Sequence, residues 1–222
     1  MKRVLLFLAC SAACLTAPVV ALAGTSFNLG VVSLYKSNGL DQDNPKGKQV
    51  RPAVQGGVDT SFDNGFYLGN WNSTGRFGDA DVEIDLYGGH RGQVTEALSY
   101  DLGVISFIYP GSGGGWNGSE AYGSLSWGPM TVKYSRGVDG VIKKFGRLSL
   151  TYTQPIGEGW TLQAVLAARN KTAGDFGDYS LGVTRDLGEG LSVGASFSGA
   201  THKSDLGGAG DNRLVLSLVK GF

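Results

Sequence analysis

The chain has 222 residues, with 19 basic and 19 acidic side chains, 37 glycines, 41% apolar residues and two cysteines. Nothing in a balance this even suggests nucleic acid as a partner. Cys10 and Cys14 both fall in the first 23 residues, so the remainder carries neither a disulfide framework nor a thiolate metal site. Beyond Val20 no apolar run is long enough for a spanning helix, and any membrane span must come from strands.

Met1 to Ala23 opens with Lys2 and Arg3, continues with an apolar run from Val4 to Val20, and ends on Ala21-Leu22-Ala23 before Gly24. That is the pattern of a secretory signal peptide, removed to leave 24–222 as the mature chain. Two of the basic residues leave with it, so the mature chain carries a net charge of about −2.

From Phe27 onward the chain alternates. Phe27, Leu29, Val31 and Tyr35 are set against Asn28, Gly30 and Lys36, predicting a first strand, and a polar stretch from Ser37 to Lys48 follows. A second strand sets Val50, Pro52, Val54 and Val58 against Arg51, Gln55 and Asp59. Pro52 is tolerable only near the strand's outer end. Asp63-Asn64-Gly65 predicts a tight hairpin turn into a third strand, Phe66 to Asn72.

The sharpest alternation comes next, with Val82, Ile84 and Leu86 on one face and Glu83, Asp85 and Tyr87 on the other. Strands over Leu98 to Tyr109 and over 120–127 flank a glycine-rich loop, Pro110 to Ser119. Gly128-Pro129 turns into Met130 to Ser135, and a basic loop from Arg136 to Phe145 precedes a strand that sets Leu148, Leu150 and Tyr152 against Arg147, Ser149 and Thr151. The turn Pro155 to Gly159 leads to a strand from Trp160 to Arg169. Strands over Tyr179 to Arg185, Leu191 to Gly199 and Arg213 to Phe222 complete the chain.

This makes about twelve strands of roughly 8 to 12 residues, a length that suits a tilted crossing of the hydrocarbon layer. Short turns alternate with longer polar loops, as they do when one end of a barrel faces the periplasm and the other the exterior. The pattern predicts an all-β chain folded as a single up-and-down transmembrane antiparallel β-barrel, with lipid-facing positions such as Leu86, Leu150 and Leu216. Aromatic girdles are expected at both rims, Trp127, Trp160 and Phe222 at the inner one and Tyr35 with Trp71 at the outer one.

The last strand, with Leu214, Leu216 and Leu218 alternating above Phe222, resembles the C-terminal strand of bacterial outer-membrane barrels. That resemblance implies that Phe222 is the signal read by the barrel-insertion machinery, after delivery by periplasmic chaperones. The segments Ser33-Leu34-Tyr35-Lys36-Ser37-Asn38-Gly39, Pro52-Ala53-Val54-Gln55-Gly56-Gly57-Val58-Asp59, Gly65-Phe66-Tyr67-Leu68-Gly69-Asn70-Trp71-Asn72-Ser73 and Glu83-Ile84-Asp85-Leu86-Tyr87-Gly88-Gly89 are similar to the TorF-type porin family of proteobacteria. It implies a twelve-stranded outer-membrane barrel and a pore, and no known substrate or catalytic residue. Where that family usually opens with an Arg-Gly-type loop, this chain has Lys36-Ser37-Asn38-Gly39.

On the inward parity the charges segregate. Glu83, Asp85, Asp101 and Glu120 gather on one run of strands, and Lys133, Arg147, Arg169, Arg213 and Arg51 on the other, with Gln55 near the seam. Separated by water, the two arcs would set a transverse field and tune ion selectivity, with a slight anion preference. Paired across the lumen, they would fill it and make the barrel a plug.

Hydrolytic chemistry needs a histidine paired with a serine. His90 and His202 are expected at opposite ends of the barrel, and only His202 with Ser198 or Ser204 could be tested. Zinc has too few ligands. Asp41-Gln42-Asp43-Asn44 and Asp79-Ala80-Asp81 read as solvated turns, since the twelfth position from Asp41 is Pro52 and not a bidentate glutamate. The reading is therefore a passive pore in the outer membrane for small polar solutes or ions, without cofactor, metal or catalytic site. A plugged structural or surface-recognition barrel is the main alternative and an outer-membrane hydrolase the least favoured.

Overall fold

The computed structural model describes residues 24–42, 49–170, 176–202, 206 and 208–222, so the expected signal peptide lies outside the described residues. Twelve long strands form the barrel: β1 (Gly24–Val32), β4 (Ala53–Ser61), β5 (Phe66–Phe77), β6 (Ala80–Gln93), β7 (Leu98–Ile108), β8 (Gly118–Trp127), β9 (Met130–Gly140), β10 (Gly146–Gly157), β11 (Trp160–Arg169), β12 (Gly177–Gly188), β13 (Leu191–Ala200) and β14 (Arg213–Gly221). Two short strands, β2 (Lys36–Ser37) and β3 (Leu40–Asp41), form a separate hairpin between β1 and β4.

Every barrel strand pairs antiparallel with its neighbours in the chain, and β1 closes the ring by pairing with both β14 and β4. At the seam Asn28 faces Gly221 and Val32 faces Ser217, while Phe27 and Phe222 exchange both backbone hydrogen bonds. The inner ends are joined by the short connections 62–65, 94–97, 128–129, 158–159 and 189–190. The outer ends are joined by longer segments, except at 78–79, where β5 and β6 meet in a tight turn.

The alternation puts large apolar side chains outside. Leu86, Leu150 and Leu216 are 49%, 39% and 54% exposed, and Leu29, Val54, Leu68, Val104, Leu148, Leu166 and Leu181 stand on the same outer surface. Such a continuous apolar band is far larger than a soluble protein leaves in water. In hydrocarbon the same band costs nothing, and the closed ring satisfies the backbone hydrogen bonds that lipid cannot. Trp127 and Trp160 stand beside the inner turns, Trp127 69% exposed, and Arg185 lies over the Trp160 ring.

Two expectations are corrected. Tyr35 and Trp71 do not form an outer girdle: Tyr35 is buried within the mouth, and the two rings pack on one another 5.6 Å apart inside the barrel. The first strand ends at Val32 rather than Lys36, so Tyr35 belongs to a loop that turns inward and its parity no longer follows the strand.

Replacing Leu86, Leu150 or Leu216 by Arg is expected to weaken insertion by about 2–4 kcal/mol near mid-membrane, and the inward changes Thr151→Arg and Ser217→Arg by less. Refolding into liposomes measures both, and equal losses on the two faces would contradict the assignment of outside and inside. In single-tryptophan variants, bilayer quenchers placed by depth should reach Trp127 and Trp160 at headgroup level, and quenching from mid-bilayer would contradict the registers.

Candidate functional site

The inner surface divides by level. Toward the outer mouth it is packed and charged. Glu83 and Asp85 on β6 are both 0% exposed, and Glu83 accepts hydrogen bonds from Tyr35 Oη at 3.0 Å and Tyr109 Oη at 2.9 Å. Glu120 on β8 is buried beside Ser135, with the charges of Arg169, Lys133 and Arg147 around it.

Arg147 does not reach across to the acidic wall for its main partner. Arg147 forms a bidentate pair with Asp178 at the start of β12, with Nε 2.9 Å from Oδ2 and Nη2 2.6 Å from Oδ1. Arg169 Nε lies 3.7 Å from the same carboxylate. Such a fork holds charge where it is buried, because the guanidinium matches a carboxylate at two points.

The first outer loop completes the mouth. Asn38 and Gly39 have φ of 49° and 76°, the left-handed pair that a two-residue hairpin needs, and they join β2 to β3. Glycine is required at 39 for a second reason, since a Cβ there would come within 2.5 Å of the Gly199 carbonyl and 2.6 Å of Asp178 Cβ. The hairpin tip therefore presses against the β12–β13 wall.

Behind the tip, Asp41 Oδ1 accepts from Lys36 Nζ at 2.7 Å and its Oδ2 from Arg213 Nε at 3.0 Å. Lys36 also donates to the Asp211 carbonyl at 2.8 Å, and the Asp41 amide to the Ala209 carbonyl. Burial pulls the Lys36 ammonium below the ordinary lysine value, and the Asp41 carboxylate opposes that pull. Leu40 packs with Phe176, Ala200 and Leu206 on one side of the mouth. Tyr35 packs on the other with Phe77, Phe107, Tyr109, Ile142 and Phe145.

At this level the wall residues Ala53, Ser73, Phe107, Ser135, Ser149, Ser198 and Arg213 are all buried, so the loop and the wall together fill the outer part of the lumen. Nearer the inner end the picture reverses. Thr151, Gln163, Ser180, Thr184, Ser196 and Ser217 remain half-exposed although they point into the barrel.

The expected lining residues stand as follows. Gln55 donates to Ser73 Oγ at 3.1 Å, Asp101 accepts from Tyr67 Oη at 2.6 Å, and Lys133 lies 4.0 Å over the Tyr122 ring. Arg51 sits at the mouth just before β4, its amide bonded to the Ser33 carbonyl. Glu120, Arg147, Arg169 and Arg213 join one belt of opposite charges that runs along neighbouring strands and through the loop, and Glu83 and Asp85 stand together beside it on β6.

Sequence reasoning missed three members of that belt. Asp178 has the inward parity of Ser180 and Thr184 but precedes the expected start of its strand. Lys36 and Asp41 flank Asn38-Gly39, a hairpin signal inside a stretch read as polar loop. With Asp41, Asp59 and Asp178 added to Glu83, Asp85, Asp101 and Glu120, the acids inside the barrel match the bases once Lys36 and Arg91 join the five expected ones, and the charge count no longer favours anions.

The histidines stand apart. His90 at the inner end of β6 contacts the Asn64 carbonyl at 2.9 Å and Tyr100 Oη at 3.0 Å, and His202 in the last outer connection contacts Thr201 Oγ1. Ser204 and the Asp43-Asn44 part of the expected acidic turn lie outside the described residues. Among the described residues no group of three His, Cys, Asp or Glu side chains could hold a metal ion.

A closed twelve-stranded ring with an apolar outside, a polar inside and an inward-folded first loop is a transmembrane β-barrel of porin-like architecture. The solved "KdgM porin" has this fold at 9% identity and a TM-score of 0.64, over 89% of this chain and 99% of that one. A second structure described as that porin in complex with disordered oligogalacturonate gives 8% identity and 0.62, over 89% and 98%. The NanC porin gives 12% identity and 0.52, over 89% and 98%. Residues 19–220 match the family described as "Bacterial protein of unknown function (Gcw_chp)", and the chain belongs to it. It matches no curated protein.

Removing the shared carboxylate by Asp178→Ala leaves the buried Arg147 without its bidentate partner and takes the same carboxylate from Arg169. The expected loss is about 3–5 kcal/mol of folding stability in lipid vesicles, read from the urea unfolding midpoint. A loss below about 1 kcal/mol would mean that water already screens the pair.

Proposed function

We propose that the protein is an outer-membrane channel for passive diffusion of small hydrophilic solutes or ions, narrowed at its outer mouth by its own first loop. The observation that carries this reading is the half-exposed, hydroxyl-lined inner lumen. It ends at a constriction that the first loop completes against the wall, and ion pairs hold that loop in place. The porin-like fold supports it, as does the resemblance to TorF-type porins. In this reading residues 1–23 direct export, Phe222 is the signal to the insertion machinery, lipid is the standing partner and no catalytic step is involved.

A second reading, a plugged structural or surface-recognition barrel, is favoured by one observation, the ring of buried residues around the hairpin. Planar-bilayer conductance separates the two. Wild type should show small, intermittent currents. Asp41→Ala, which leaves Lys36 and Arg213 without their shared carboxylate, should release the hairpin at a cost of about 3–5 kcal/mol and raise the conductance severalfold. Absence of current in both, in protein shown to be folded by its heat-modifiable gel mobility, would favour the plug.

A further inference from the structure

Resting on the channel reading, we infer that the inner half of the lumen is a vestibule for uncharged polyhydroxylated solutes of the size of small sugars and polyols, in preference to ions. The inward positions of β10 to β14 and β1 carry hydroxyl, amide and small side chains, interrupted by Val32, Val165, Val215 and Val219, from the belt of Arg147, Arg169, Asp178 and Arg213 to Asp186 near the inner rim, with no charge between. Thr151, Gln163, Ser180, Thr184, Ser196 and Ser217 lie on this wall and are open to water. A hydroxyl both donates and accepts, so such a wall matches a solute whose own hydroxyls do the same.

The facing wall supplies the other half of the chemistry. At the upper edge of this space, where they also pack against the mouth cluster around Tyr35, Trp71 on β5 and Tyr87 on β6 point inward and are half-exposed, and Tyr87 donates to Asp59 Oδ1 at 2.6 Å. Ring surface beside a carboxylate suits a molecule with apolar C–H faces and a hydroxyl rim. The oligogalacturonate of the similar porin is, by contrast, a polyanion.

An ion entering this space would shed hydration and find the fixed charges already engaged. Arg147 is held by Asp178, Arg213 by Asp41, and Asp101 by Tyr67. Arg91 lies 4.2 Å over the Tyr67 ring and Lys133 lies over the Tyr122 ring. A neutral polyol needs none of them.

Osmotic swelling of liposomes holding the full mature chain tests this, with mannitol and gluconate as probes of matched size, in wild type and in Asp41→Ala. Mannitol should enter at least about threefold faster than gluconate in whichever protein conducts, since only the ion must trade hydration for a neutral wall. Thr184→Val with Ser196→Ala, which removes two hydroxyls at nearly constant volume, should slow mannitol and leave gluconate as it was. Should that pair not fold, Ser196→Ala alone carries the comparison. Gluconate entering as fast as mannitol overturns the solute class while the channel stands, as does a double variant that still passes mannitol at the full rate. No swelling with either probe in wild type or in Asp41→Ala overturns the channel reading itself.

Discussion

Closure of the ring is the constraint on which everything else depends. In hydrocarbon each unpaired backbone amide or carbonyl costs several kcal/mol, so a sheet that spans the membrane can have no open edge. β1 meets this by pairing along both sides, with β4 through nine residue pairs and with β14 through five, extended by the exchange between Phe27 and Phe222. Once the edge is gone, alternate side chains have only lipid or lumen to face, and the sorting of Leu, Val and Phe outward from Ser, Thr and charge inward follows from the pleat.

Closure also creates the second problem, an interior that twelve strands leave too wide to fill with wall side chains alone and too narrow to stay fully hydrated. The two halves solve it differently. From β5 to β8 and the segments between them large residues such as Trp71, Phe107, Tyr109 and Tyr122 reach inward, and the buried Glu83 carboxylate lies between the hydroxyls of Tyr35 and Tyr109. On β10 to β14 small hydroxylated residues leave the space to water. Near the outer mouth the first loop takes up what remains, seating Leu40 against one wall and Tyr35 against the other.

The charges inside follow from the same geometry. A buried ion is tolerated where a counter-ion and hydrogen bonds meet it, and the nearest counter-ion in a barrel stands on a neighbouring strand or on a loop folded over it. Arg147 and Arg169 therefore settle on Asp178 and Arg213 on Asp41, while the β10 to β14 wall between this belt and Asp186 near the inner rim stays neutral. Pairs arranged along the wall leave the middle of the lumen free, whereas pairs reaching across it would have closed it.

Much of this was determined locally and so was legible in the amino-acid order. Period-two alternation in 82–87, 147–152 and 213–222, together with turn chemistry at Asp63-Asn64-Gly65 and Gly128-Pro129, specifies strands, their two faces and their number, because pleat and turn each depend on residues a few positions apart. The inward parity of Glu83, Asp85, Glu120, Lys133, Arg147 and Arg169 came with it. What parity cannot carry is which inward residue meets which, since that depends on the stagger of strands around the ring and on where a loop goes after it leaves the wall. Lys36, Asp41 and Arg213 are up to 177 positions apart and become neighbours only when β1 closes on β14 and the hairpin folds inward. Tyr35 and Trp71 were aromatic residues near a strand end in sequence, and the tertiary fold decided that they pack on each other inside the mouth and not against lipid, because burying both rings there fills space that the wall leaves open.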